Sequence, residues 1–231
     1  MVICLSHLSV GYSPSLPVVS DINAVVRSGQ LTCLTGENGI GKSTLLKTLT
    51  GFLPKLGGEL LLDGREVGTF SQRELARQVS IVLTQKPDVQ NLTVEEVIGL
   101  GRSPYTGFFG RFHDADRTVI ADALASVGIE PLRHRMIQTL SDGERQKVMI
   151  AKALAQQTPV ILLDEPTAFL DFPSKAETFR LLQRMAHDRD KLILLSTHDL
   201  GLAVRFADCL LEVKDRSLHR VSADVVKASM Q

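Results

Sequence analysis

Apolar positions early in the chain are spaced for strands. Leu5, Leu8 and Val10 fall in one, and residues 18–27 in another. Residues 31–35 form a short apolar run ending at Gly36, and residues 43–50 read as a helix with a stop at Gly51. Residues 59–62, followed by Asp63-Gly64, predict a strand entering a hairpin turn. Ser71-Gln-Arg-Glu74 has the capping-box spacing that opens a short helix. Residues 79–84 predict a further strand.

The pattern then changes. Thr93-Val-Glu-Glu96 caps another helix, and residues 101–113 are rich in Gly, Pro and aromatic side chains. Residues 114–127 have helical apolar spacing and stop at Gly128. Ser141-Asp-Gly-Glu144 repeats the S-x-x-E pattern and opens a helix to about residue 156. A mostly helical insert is therefore expected over about 86–156. Beyond it, strand and helix patterns alternate through 160–163, 173–187, 192–196, 199–207 and 209–213. Such alternation implies a parallel sheet covered on both faces. The expected fold class is α/β, one domain over residues 1–231, with an antiparallel β portion near the N-terminus.

Composition mainly excludes. The chain has 231 residues, enough for one core without a disulfide or metal staple. Lys+Arg and Asp+Glu both number 26, so there is no basic excess for coating nucleic acid or anionic lipid, and no nucleic-acid partner is expected. Cys4, Cys33 and Cys209 are scattered without CxxC spacing, which fits a reducing cytosol and small buried side chains. No charged segment followed by an apolar one marks a secretory signal. The apolar runs 160–163 and 192–195 are strand-sized, far short of the ~18 residues that span a bilayer. Work at a membrane would need another chain to hold this one there.

Candidate chemistry begins at Gly36-Glu-Asn38-Gly39-Ile-Gly41-Lys42-Ser43, a G-x-x-x-x-G-K-[ST] motif between a predicted strand and a predicted helix. Glycines let such a loop wrap closely around phosphates, and successive N–H groups with the helix N-terminus face the anion. Lys42 would put a point charge on the β/γ-phosphates, Ser43 a hydroxyl on Mg²⁺, and Thr44 a donor on the α-phosphate. An apolar strand ends in Asp164-Glu165, and such strand ends lie beside the phosphate loop in a sheet of this kind. Asp164 would hold Mg²⁺ through water and Glu165 would take the proton of the attacking water. His198 follows another apolar strand, where it would sense the γ-phosphate. The other five histidines show no ligand spacing.

Together these residues resemble the ATP-binding subunit of ABC transporters over essentially the whole chain, a P-loop NTPase with a RecA-like core. Leu140-Ser141-Asp142-Gly143-Glu144 resembles the family signature, with Asp142 where Gly is usual and Glu144 where Gln is usual. The resemblance implies that Ser141 and Gly143 contact ATP held by an opposite subunit. It implies that Tyr12 stacks on adenine, and that Gln85 touches Mg²⁺, takes part in catalysis and links to the membrane partner. It implies that Asp171, in Phe169-Leu-Asp171, crosses to the opposite site. It implies two copies paired head to tail around two ATP molecules, bound to integral membrane permease subunits and, through them, to a solute-binding protein. That puts the chain at the cytoplasmic face of the inner membrane as a peripheral subunit.

Residues 92–107 resemble the stretch that follows this glutamine in importers of iron-siderophores, haem and cobalamin. The surface from Gln85 to Phe112 is therefore expected to dock the permease, through Tyr105 or Phe108. Two other readings stand beside this one. One is an ABC ATPase without a membrane partner, as in iron–sulfur cluster assembly. The other is a GTPase or small-molecule kinase, which the absence of N-K-x-D and the presence of the signature disfavour.

Overall fold

The computed structural model describes residues 1–84, 90–106, 111–224 and 226. In chain order the elements are β1 (Val2–Val10), β2 (Val19–Arg27), β3 (Gln30–Thr35), α1 (Lys42–Leu49), β4 (Gly57–Leu62), β5 (Arg65–Glu66), α2 (Gln72–Leu75) and β6 (Val79–Val82). Then come α3 (Val94–Gly99), α4 (Asp114–Ser126), α5 (Asp142–Ala155), β7 (Val160–Asp164), α6 (Phe172–Arg189), β8 (Leu192–Ser196), α7 (Leu200–Phe206), β9 (Cys209–Lys214) and β10 (Ser217–Val221).

Two sheets result. The first is antiparallel, in the order β2-β1-β4-β5, and its β4–β5 hairpin turns at Asp63-Gly64, both with positive φ. Two positive-φ residues give a turn whose twist matches the strands it joins. The second sheet runs β10-β9-β3-β8-β7-β6; β9, β3, β8, β7 and β6 are parallel, and β10 is an antiparallel edge.

Alternate residues of the parallel strands feed two separate cores. Cys33, Ile161, Leu163, Ile193 and Leu195 face one, with Phe179 of α6, Phe206 of α7 and the helices α3, α4 and α5. Leu34, Val160, Leu162, Leu192 and Leu194 face the other, with Leu45, Leu46 and Leu49 of α1 and the inner side of the antiparallel sheet. The side-chain period of two makes this division, and it leaves the strand ends as the exposed place where loops can gather.

The strand order differs from expectation in one respect that matters. β7, which carries the acidic pair, does not neighbour β3; β8 lies between them. A βα crossover can skip a strand position, and the sequence of each strand does not reveal that skip. β10 was not anticipated. It returns from β9 through Asp215-Arg216, both with positive φ and neither a glycine, so the usual turn signal is missing. Cys4, Cys33 and Cys209 are free thiols; Cys33 is buried and the other two half-buried. No helix among the described residues is long and apolar enough to cross a membrane.

Candidate functional site

The loop after β3 is shaped by glycine where no other residue fits. Gly36 has φ 137, and a Cβ there would lie 2.6 Å from the Val213 carbonyl oxygen. Gly41 has φ 118, and a Cβ would come within 2.7 Å of methyl groups of Val18 and Val19. Gly41 is also the N-cap of α1, with no side chain capping the helix and no acid in its first turn. The amides there are left to an external anion. Asn38 and Gly39 form the exposed crest, Ser43 is half-buried in the first turn of α1, and Thr44 is buried.

Lys42 curls back over this loop. Its Nζ donates to the carbonyl oxygens of Gly36 at 2.7 Å and Glu37 at 2.9 Å, and lies 3.9 Å from Glu165 Oε1. Burial pulls its pKa below the ordinary lysine value, against the opposing pull of Glu165 and Asp164. The amine is thus already surrounded by oxygen ligands and aimed across the loop.

Asp164 and Glu165 sit at the C-terminal end of β7, and one hydroxyl joins them. Ser196 Oγ donates to Asp164 Oδ1 at 2.8 Å and accepts from the Glu165 amide at 2.9 Å. Thr84 Oγ1 donates to the Asp164 carbonyl oxygen at 2.8 Å. Glu165 has φ 52, a left-handed conformation that costs a non-glycine residue about 1–3 kcal/mol and tends to persist where surrounding contacts enforce it. Its carboxylate meets His198, with Nδ1 at 2.5 Å from Oε2. Lys42, Asp164, Glu165, Ser196 and His198 therefore form one contiguous cluster at the ends of three neighbouring strands. Sequence reasoning found four of these five. Ser196 was missed, although the strand-end run Ser196-Thr-His198 contained the signal.

Tyr12 is 69% exposed, on the loop closed by the Val18 amide donating to the Val10 carbonyl oxygen at 2.8 Å. Val18 touches the Gly41 position, so this loop stands at the rim of the phosphate loop.

Ser141 and Gly143 form a second centre. Ser141 caps α5: its Oγ accepts from the Glu144 amide at 3.3 Å and donates to Glu144 Oε2 at 2.9 Å, and its own amide donates to Oε2 at 2.8 Å. These hydrogen bonds from Ser141 hold the Glu144 carboxyl below its ordinary pKa. Asp142 is exposed at the first position of α5. Asp171 caps α6 by accepting from the Ser174 amide at 3.1 Å, which lowers its pKa too. Ser141, Gly143, Phe169 and Asp171 line one groove of about 500 Å³. Sequence order had placed the signature and Asp171 in separate motifs; the fold joins them.

Two expectations fare differently. Gln85 and Phe108 lie outside the described residues. Tyr105 is not a free docking anchor. Its hydroxyl donates to the Gln156 carbonyl oxygen at 2.9 Å, and the Arg102 guanidinium lies 4.1 Å from its ring centroid. Arg102 is itself buried, paired with Asp116 at 2.8 Å. Tyr105 belongs to the packing of this part of the chain, a role that a count of aromatic residues could not separate from an interface role.

Residues 19–168 match the ABC transporter family. An uncharacterized ABC transporter ATP-binding protein of Methanocaldococcus jannaschii is 40% identical over 94% of this chain and 73% of its own length. The iron(3+)-hydroxamate import ATP-binding protein FhuC of Bacillus subtilis is 39% identical over 90% of this chain and 77% of its own. Among solved structures, cbiO1 of Clostridium perfringens, part of the ABC transporter complex cbiONQ, superposes with TM-score 0.85 at 26% identity. The match covers 99% of this chain and 91% of that one.

Proposed function

The chain belongs to the ABC transporter family, as an ATP-binding, ATP-hydrolysing subunit, and on that premise we propose that it powers a membrane importer for an iron-siderophore, haem or cobalamin type of solute. It would do so as a single ABC ATP-binding domain on the cytoplasmic face of the membrane. The observation that carries the catalytic reading is the contiguous cluster of Lys42, Asp164, Glu165, Ser196 and His198 beside the phosphate loop.

In this reading the loop amides and Lys42 hold the β- and γ-phosphates, Thr44 the α-phosphate, and Tyr12 the adenine. Glu165 accepts the proton of the attacking water, and His198, hydrogen-bonded to it, orients its carboxylate and meets the γ-phosphate. Ser196 holds the Asp164 carboxylate and the Glu165 backbone amide in place. The donor set suits Mg²⁺: Ser43 and Asp164 offer hard oxygens, and no group of three or more His, Cys, Asp or Glu among the described residues forms a metal cage. Mg²⁺ keeps waters and substrate phosphates as its remaining ligands, so two protein oxygens suffice; bound there, it would neutralise developing phosphate charge. Gln85 would join them.

Ser141 and Gly143 would meet the γ-phosphate of a second copy, with Asp171 beside them. The shared groove of these residues supports that pairing. The importer class is supported by the ferric-hydroxamate relative, matched over most of both chains.

The test is transport by a strain lacking this chain. Uptake of radiolabelled ferric hydroxamate, haem and cobalamin is measured with wild-type or Glu165→Gln protein restored. One of the three solutes is expected to depend on the wild-type chain and to stay outside with the variant. Unchanged uptake of all three would refute the importer reading.

A further inference from the structure

The run Ser141-Asp142-Gly143-Glu144 carries two acids where a phosphate is to be met. The charged side chains lining the groove beside it are Glu144, Asp171 and Lys147. Lys147 lies 3.2 Å from Glu177, and Asp171 accepts from the Ser174 amide. The groove's one lysine thus already has a carboxylate beside it. The first turn of α1, by contrast, carries no acid at all.

The donor that would serve the phosphate is also taken. A serine hydroxyl has a single proton to give. Ser141 gives it to Glu144 Oε2 at 2.9 Å, and the Ser141 amide donates to the same oxygen at 2.8 Å. The hydroxyl accepts in turn from the Glu144 amide at 3.3 Å. Hydrogen bonds to an ionised carboxylate are about twice as strong as those to a neutral acceptor. Glutamine, usual at this position in the family, would accept through its carbonyl oxygen without a charge, and its amide nitrogen could donate to an anion. The acid can do neither.

The structure also shows where the carboxylate can go. Its other oxygen, Oε1, lies 3.8 Å from Arg135 Nη1. That is beyond hydrogen-bonding distance but within reach of a side-chain rotation. Arg135 is anchored through Nη2, which donates to the Thr139 carbonyl oxygen at 2.9 Å. A carboxylate that leaves Ser141 therefore has a cation beside it.

We propose that Glu144 is a built-in brake on the pairing of two copies: the second copy's γ-phosphate obtains the Ser141 hydroxyl proton only when the Glu144 carboxylate releases it and turns to Arg135. The assignment rests on the reading of Ser141 as a contact for that phosphate, and it adds a regulation of the contact. Two anions compete for one donor, and each disfavours the other. ATP must displace an internal carboxylate before it can close the pair.

The test uses the full chain carrying Glu165→Gln, so that bound ATP persists. The monomer–dimer Kd is read by analytical ultracentrifugation in saturating ATP and Mg²⁺. Adding Glu144→Gln is expected to lower that Kd about tenfold or more. A merely structural role would not give this result, because loosening the start of α5 does not tighten pairing. Adding Arg135→Gln instead is expected to raise the Kd about threefold or more, and to have no such effect once Glu144→Gln is present. The comparison cancels whatever Arg135 does for Thr139. ATP affinity of the dilute chain should be the same in every form.

Pairing that is equal or weaker with Glu144→Gln would overturn the brake. So would an Arg135→Gln effect that is the same with and without the Glu144 carboxylate. If no form pairs in ATP, the reading of Ser141 as a contact for a second copy's phosphate fails, and the brake with it. If every form pairs with one Kd, the brake alone fails.

Discussion

Helices α1 and α5 both begin at a motif that we propose meets phosphate, yet their N-termini are finished in opposite ways. α1 starts at Gly41 with no side-chain cap and no acid in its first turn. α5 starts at Ser141 with a complete capping box and two acids, Asp142 and Glu144, in its first turn. A bare helix N-terminus leaves its amides and its partial positive charge for a ligand. A capped one is complete by itself, its Ser141 hydroxyl already bonded to Glu144. The first is a grip, and the second is a contact surface that keeps its shape without a ligand.

Four substitutions would break or sharpen that contrast. The largest effect belongs to the acid that stands beside the grip at the end of β7. Glu165→Gln is expected to lower ATP turnover by about 100-fold or more while nucleotide affinity stays near that of the wild-type chain. A phosphate-release assay paired with fluorescent-nucleotide binding checks this, and unaltered turnover would remove Glu165 from the general-base role.

The intermediate effects compare the two N-terminal residues directly. Gly41→Ala adds a methyl group against Val18 and Val19 and fixes an L-residue at φ 118. It should cost about 1–3 kcal/mol in urea unfolding and weaken nucleotide binding with it. Ser141→Ala should cost about 1 kcal/mol through the lost cap, with nucleotide affinity of the dilute chain unchanged. Equal losses of affinity in the two variants would erase the distinction.

The smallest effect is electrostatic. The Glu144 carboxyl is held below its ordinary value of 4.5 by the hydrogen bonds of Ser141. Its contribution is therefore complete above that ordinary value and is lost as pH falls through the depressed one. Glu144→Gln should melt lower than wild type by no more than about 2 °C at pH 7, with the gap closing in acid. A gap that widens on acidification would mean that the carboxyl acts differently.

These contrasts were unequally visible in the sequence. The three S/T-x-x-E boxes at Ser71, Thr93 and Ser141 all form with both hydrogen bonds, because a cap is decided within four residues. The phosphate loop, Asp164, Glu165 and His198 were legible because each stands at the end of an apolar strand. The position of β8 between β3 and β7 was not, because strand order is set by crossovers that leave no local mark. For the same reason the bridging role of Ser196 stayed hidden: its two partners belong to another strand. A hollow lined by Phe52, Leu75, Ile81 and Lys152 draws on residues 50–52, 67–81 and 152–156, a set that no sequence window spans.

The hydroxyl of Ser196 has a meaning for anyone redesigning the speed of this motor. It is tied to the carboxylate of Asp164 and to the backbone of Glu165 at once, so how these two residues are presented is a property of how β7 and β8 lie side by side. That makes residue 196 a tuning screw set one layer behind the reacting atoms. Exchanging it would reset the tempo of the cycle while the grip on the fuel, built on a different strand, stayed as it was.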